Sequence, residues 1–113
     1  MADLERQLAA LKVEYANKLP AKYAAIDAAF RSAQSNQWKH ADLTELYQLL
    51  HRLAGSGKTF GFDAVTTFSR QAEYVVKAWL ERATPPSLSE IDALGRELSE
   101  LEGQCRPSGE PAT

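Results

Sequence analysis

One histidine in this chain stands where it could do chemistry. The stretch Thr44 to Phe62 reads TELYQLLHRLAGSGKTFGF, and His51 lies in its middle. Advancing about 100° per residue puts Leu46, Leu49, Leu50, Leu53, Gly57 and Phe60 on the far side of a helix from it. Thr44, His51, Gly55 and Lys58 gather on the near side, so the imidazole projects away from the apolar stripe. A histidine buried for its hydrogen bonds belongs on that stripe instead. Glycine costs a helix interior roughly 1 kcal/mol against alanine, and Gly55 and Gly57 both carry that cost. Clearance is a reason for Gly55: with no side chain at i+4, the imidazole stays open to a large partner. Histidine ordinarily titrates near ~6.5, so a neutral ring nitrogen is available as a nucleophile at pH 7.

Other motifs carry less. Residues Gly55 to Thr59 spell GSGKT, but a phosphate-binding loop needs a glycine where Arg52 stands, and it follows a buried strand rather than an amphipathic helix. His40 and His51 have no carboxylate at i+3 or i+4, so no metal site of the inward-facing bundle type is expected. A lone cysteine, Cys105, excludes an internal disulfide and a cysteine-based metal cluster. No serine or cysteine occupies a nucleophile motif. Trp38 and Trp79 read as core or core-edge residues, and Glu73 with Lys77 as a surface i,i+4 pair.

The elements that must position His51 are helical throughout. Leu4, Leu8, Leu11 and Tyr15 recur at helical spacing after Asp3, a candidate cap. This helix is expected to end near Asn17 to Lys18, because Pro20 restricts the residue before it and suits the first turn of a second helix. Leu19, Tyr23, Ile26, Phe30 and Ala33 form the second stripe. Asp42 is a candidate cap for the helix carrying His51. Asp63 opens the next, with Val65, Phe68, Ala72 and Trp79 inward. Ser87 with Glu90 reads as a capping box for the last. The expected fold is all-α: an antiparallel up-and-down four-helix bundle with an additional N-terminal helix. One domain over 1–104 is expected, followed by a flexible tail or linker over 105–113.

Composition fits a soluble globular domain, with 44% hydrophobic and 25% charged residues in 113. A net charge of -2 offers no footprint for nucleic acid. No apolar run approaches a membrane span, and the start lacks the pattern of a signal peptide, so a cytoplasmic location without membrane contact is expected.

The segment His51-Arg52-Leu53-Ala54-Gly55-Ser56, with Phe60-Gly61 after it, resembles the signature of histidine-containing phosphotransfer (HPt) domains, roughly H-x-L-K-G-[SA]-[SA]-x-x-[LF]-G. The leucine-rich run before His51, Trp38 upstream of it, and a glutamate in the following helix near Glu73 extend the likeness over most of residues 19 to 102. The resemblance implies a phosphoryl carrier of a two-component phosphorelay, with no ATP site. His51 would take the group from a receiver-domain aspartate and pass it to another. The implied partners are response-regulator receiver domains and a hybrid histidine kinase. No cofactor is implied for this chain, since the Mg²⁺ belongs to the receiver. A histidine-kinase dimerisation helix is disfavoured by Arg52 and Gly55, where such helices carry an acidic residue and a proline.

One position departs from the family pattern: Ala54 replaces the usual lysine. Lys58, about 20° from His51 in projection, and Arg52 are the candidate substitutes for its charge. The implied docking face is Tyr47, Ala54 and Gly55 around His51, with Lys58 at one edge. The alternative is a non-catalytic helical docking module that binds receiver or kinase domains, and a purely structural bundle is a third reading. The family implies a monomer, although the first helix could support a dimer.

Overall fold

A computed structural model describes residues 2–106. Within them the chain is all-helical: α1 (Ala2–Ser35), α2 (His40–Thr59), α3 (Asp63–Leu80) and α4 (Leu88–Gln104). The most extensive contact joins α2 to α3. Helix α1 lies along α2, α4 lies along α3, and α1 meets α4.

The expected break before Pro20 does not occur. Pro20 lies inside α1, a single 34-residue helix, so there is no separate N-terminal helix. Interior proline removes one backbone hydrogen bond and costs a helix about 3 kcal/mol. Packing on both sides of the proline offsets that cost. Tyr15 stacks on Phe60 at 4.5 Å between ring centroids and bonds the Ser56 hydroxyl at 2.6 Å. Leu19, Tyr23 and Ile26 continue the same buried stripe beyond it. Pro20 itself is exposed, so its defect faces water rather than the core.

The stripes meet as the periodicity requires. Leu43, Leu46, Leu50 and Leu53 of α2 join Val65, Ala72, Val76 and Trp79 of α3 and Leu94, Leu98 and Leu101 of α4 in one core with α1. Trp38 closes one end, edge-on to Trp79 at 5.6 Å and beside Phe30 at 5.8 Å. Reaching that position puts Gln37 and Trp38 at φ 60° and 62°, a left-handed conformation that costs non-glycine residues about 1 kcal/mol or more each.

Two capping expectations come out differently. Ser87 and Glu90 form the reciprocal capping box. Asp42 does not cap α2, which begins at His40. Its carboxylate instead accepts from Asn36 Nδ2 at 3.1 Å, tying α2 to the end of α1. Cys105, assigned by sequence to the tail, is buried in the core, and burial pushes its thiol up to about 11. The rest of the expected tail, residues 107–113, lies outside the described residues.

Candidate functional site

The local structure around His51 begins with the way α2 ends. Gly61 adopts φ +81°, which a side chain would disfavour. Its N–H bonds the Lys58 carbonyl, and the Phe62 N–H bonds the Gly57 carbonyl at 2.8 Å. This double hydrogen bond around a left-handed glycine is a Schellman stop. It ends α2 and starts α3 within a few residues, so the two helices pack along each other.

Close approach of α2 and α3 explains one of the two costly glycines. A Cβ on Gly57 would lie 2.8 Å from Thr66 Oγ1 and 3.2 Å from Val65 Cγ1. The Thr66 hydroxyl uses that space to donate to the Ala54 carbonyl at 2.8 Å. Gly55 is different. A Cβ there would meet nothing within 4 Å, so nothing inside the fold requires glycine at this place.

His51 is exposed, with its side chain 63% accessible, as the polar-face placement predicts. Its ring is nonetheless held. Nδ1 lies 2.8 Å from Glu73 Oε2 on α3, and the Tyr47 ring stacks beside it at 6.0 Å and 18°. Glu73 is largely buried, with 13% side-chain exposure, and its other oxygen has no hydrogen-bond partner among the described residues. An ionised carboxylate only accepts, so it selects the tautomer with the proton on Nδ1. Nε2 then carries the lone pair, and it has no partner among the described residues. The sequence reading paired Glu73 with Lys77; the carboxylate instead reaches across to His51. Sequence spacing registers neighbours along one helix and carries no signal for a partner twenty-two residues away.

The remaining predicted site residues fall in different places. Tyr47 lies beside the ring, and Gly55 is exposed one turn on. Ala54 is fully buried, so it forms no part of an exposed docking face; the packing of α2 on α3 takes its side. Arg52 lines a groove with Lys22 and Ile26 between α1 and α2, away from Glu73. Lys58 is exposed in the last turn of α2, about 10 Å along the axis from His51.

Two cations stand nearer the ring's partners: Arg70, which spacing did not single out, and Lys77, expected only as a surface partner of Glu73. Arg70 and Lys77 precede and follow Glu73 on α3, at helical spacings that return to one face. Together with Tyr47, Glu73 and Tyr74 they line a shallow groove of about 260 Å³. Tyr74 is 77% exposed at its rim. The arrangement is thus an accessible imidazole with one nitrogen fixed by Glu73 and the Tyr47 ring beside it, and these two partners share a groove with Arg70 and Lys77. It is suited to nucleophilic attack on an anionic centre presented by a large partner.

Comparison with curated proteins and with solved structures returned no match. The family model for the Hpt domain matches residues 2–104. That span covers all four helices, including the long N-terminal one, and the histidine–glycine segment falls inside it. The chain belongs to the Hpt domain family, the histidine phosphotransfer modules of two-component systems.

Proposed function

We propose that His51 accepts a phosphoryl group from the aspartyl phosphate of a response-regulator receiver domain and passes it to a second aspartate. The observation that carries this reading is the 2.8 Å contact between His51 Nδ1 and Glu73 on an otherwise open face. With Nδ1 protonated, the Nε2 lone pair attacks phosphorus. A P–N bond forms, the P–O bond to the aspartate breaks, and the electron pair leaves on the carboxylate. The ring keeps its Nδ1 proton and becomes cationic, directly opposite the Glu73 carboxylate. Transfer passes through a loose transition state, so positioning and charge account for most of the catalysis. The receiver's acidic cluster and Mg²⁺ supply part of that charge.

This domain's own share of positive charge comes first from Arg70 and Lys77, which line a groove with Tyr47 and Glu73, the two residues that hold the ring. Lys58 is an outer contributor toward the end of α2. Arg52, turned toward α1, is the weakest of the candidates. Gly55 keeps the approach clear, since its position is open and no internal contact requires glycine. The antiparallel up-and-down course of the bundle is supported by the short connections 36–39, 60–62 and 81–87 between helices that pack on their neighbours. Such a course gives His51 a rigid two-helix platform.

The test is transfer from a panel of receiver domains, phosphorylated beforehand with a labelled donor, to the wild type and to His51→Gln. Acid-labile, base-stable label on the wild type alone is the expected result. Label retained by His51→Gln would place the acceptor elsewhere. Binding without any label would favour the docking module instead. Gly55→Arg should fold normally and lose acceptance, because its side chain fills the cleared approach.

A further inference from the structure

The first part of α1 projects past the bundle and meets it where Lys12 Nζ lies 5.4 Å from the centroid of the Phe62 ring. Every described residue from Ala2 to Glu14 is exposed, and burial begins at Tyr15. Yet the stripe does not stop there. Leu4, Leu8 and Leu11 continue the line of Tyr15 and remain 54%, 57% and 50% exposed. An overhang of this length at the end of α1 gains little stability without tertiary packing. An apolar stripe projecting into water marks a surface built to be covered.

We infer that a second copy of this chain covers it, through an antiparallel pairing of the two α1 overhangs about a twofold axis. The flanking charges choose this occupant. Leu4, Leu8, Leu11 and Tyr15 are spaced 4-3-4, as the inner positions of a coiled coil are. On one flank of the stripe lie Glu5 and Lys12, and on the other Gln7 and Glu14. Antiparallel pairing brings like flanks together. When Leu8 packs on Leu11 of the partner subunit, Glu5 comes opposite Lys12 of the partner subunit, and the twofold axis repeats the pair. Sliding by one heptad sets Glu5 against Glu5 of the partner subunit, so charge fixes the register. A parallel pairing would bring the Glu5 and Lys12 flank against Gln7 and Glu14 without forming a Glu–Lys pair at these positions, and would crowd the two bundles at the same end.

The root of the overhang fits the same register. There a cleft of about 300 Å³ lies between Leu11, Tyr15 and Phe60, rimmed by Glu14 and Lys18. Leu4 of the partner subunit reaches this level and extends the apolar contact beyond the overhang itself. An interface of this length is at the small end of specific interfaces, so a dissociation constant on the order of tens of micromolar is expected. The proposal does not depend on phosphate transfer by His51.

Sedimentation velocity of the full chain over a broad concentration series tests it. The wild type should pass from monomer to dimer. Leu8→Asp should remain monomeric while keeping its helical spectrum, because Leu8 is 57% exposed and outside the buried core. Glu5→Lys should weaken dimerisation by about tenfold, and Glu5→Lys with Lys12→Glu should restore it by exchanging the charges. A wild type that stays monomeric at several hundred micromolar would overturn the proposal and leave the stripe to another occupant. A dimer indifferent to Leu8→Asp would overturn it too, as would a charge exchange that fails to rescue Glu5→Lys.

Discussion

Replacing Glu73 by glutamine probes the site's chemistry with little change in its shape. The Oε2–Nδ1 separation is 2.8 Å, and a glutamine carbonyl can accept from Nδ1–H at that distance. What disappears is the negative charge opposite the ring as phosphoryl transfer makes it cationic. A hydrogen bond to a charged group contributes about 1.5–3 kcal/mol, against about 1 kcal/mol for a neutral one. The His51 side chain is 63% exposed, and solvent screening reduces the difference to roughly 1 kcal/mol. That corresponds to transfer slowed by about fivefold. Glu73→Ala also releases the ring's orientation and tautomer, and a loss of about tenfold to a hundredfold is expected. Single-turnover transfer from a phosphorylated receiver measures both variants. Nitrogen-15 NMR of the imidazole reads the tautomer, which a merely structural role for Glu73 would leave alone. Stability should move the other way: Glu73 Oε1 is buried without a partner among the described residues, so Glu73→Gln should keep or raise the urea midpoint. A Glu73→Ala protein with normal transfer and an unchanged tautomer would refute the reasoning.

The two glycines of α2 should respond in opposite directions to alanine. Gly57→Ala should cost about 1–2 kcal/mol in urea unfolding, because crowding against Thr66 and Val65 outweighs the gain in helix propensity. Gly55→Ala should gain about 0.5–1 kcal/mol, since its Cβ meets open space. Among the cations, Arg70→Gln and Lys77→Gln should each slow phosphate transfer more than Arg52→Gln does; equal effects from all three would remove the groove's special role. Acid sensitivity should include Glu90, whose carboxyl is held down to about 2 from an ordinary 4.5 by the Arg82 guanidinium and by the Ser87 backbone N–H. A folded pKa below the unfolded one gives stability that is present above 4.5 and lost as pH falls toward 2. Glu90→Gln should therefore flatten the pH dependence of the unfolding midpoint across that window.

Much of the site was legible in the sequence because helical periodicity is a local property. The apolar positions of Thr44 to Phe62 oriented His51 outward, and the short HPt-like segment assigned it a chemistry. Ser87 and Glu90 announced their capping box for the same reason: both partners lie within one turn. Pro20 misled because its local cost is real. Packing on both sides of it, including the contacts of Tyr15 with Ser56 and Phe60 from a distant part of the chain, offsets that cost and keeps α1 continuous.

What the tertiary structure decided was which helices meet, and at what distance. Gly55 and Gly57 are alike in sequence, but one faces open space and the other receives Thr66. Ala54 and Tyr47 belonged to one expected face until packing on α3 buried the first and left the second beside the ring. Glu73 became the partner of His51 only when the Schellman turn at Gly61 laid α3 along α2. Sequence spacing could identify the nucleophile, because a helix sets the direction of its own side chains. The groups that hold it and neutralise its charge come from a neighbouring helix, whose placement depends on how the core packs.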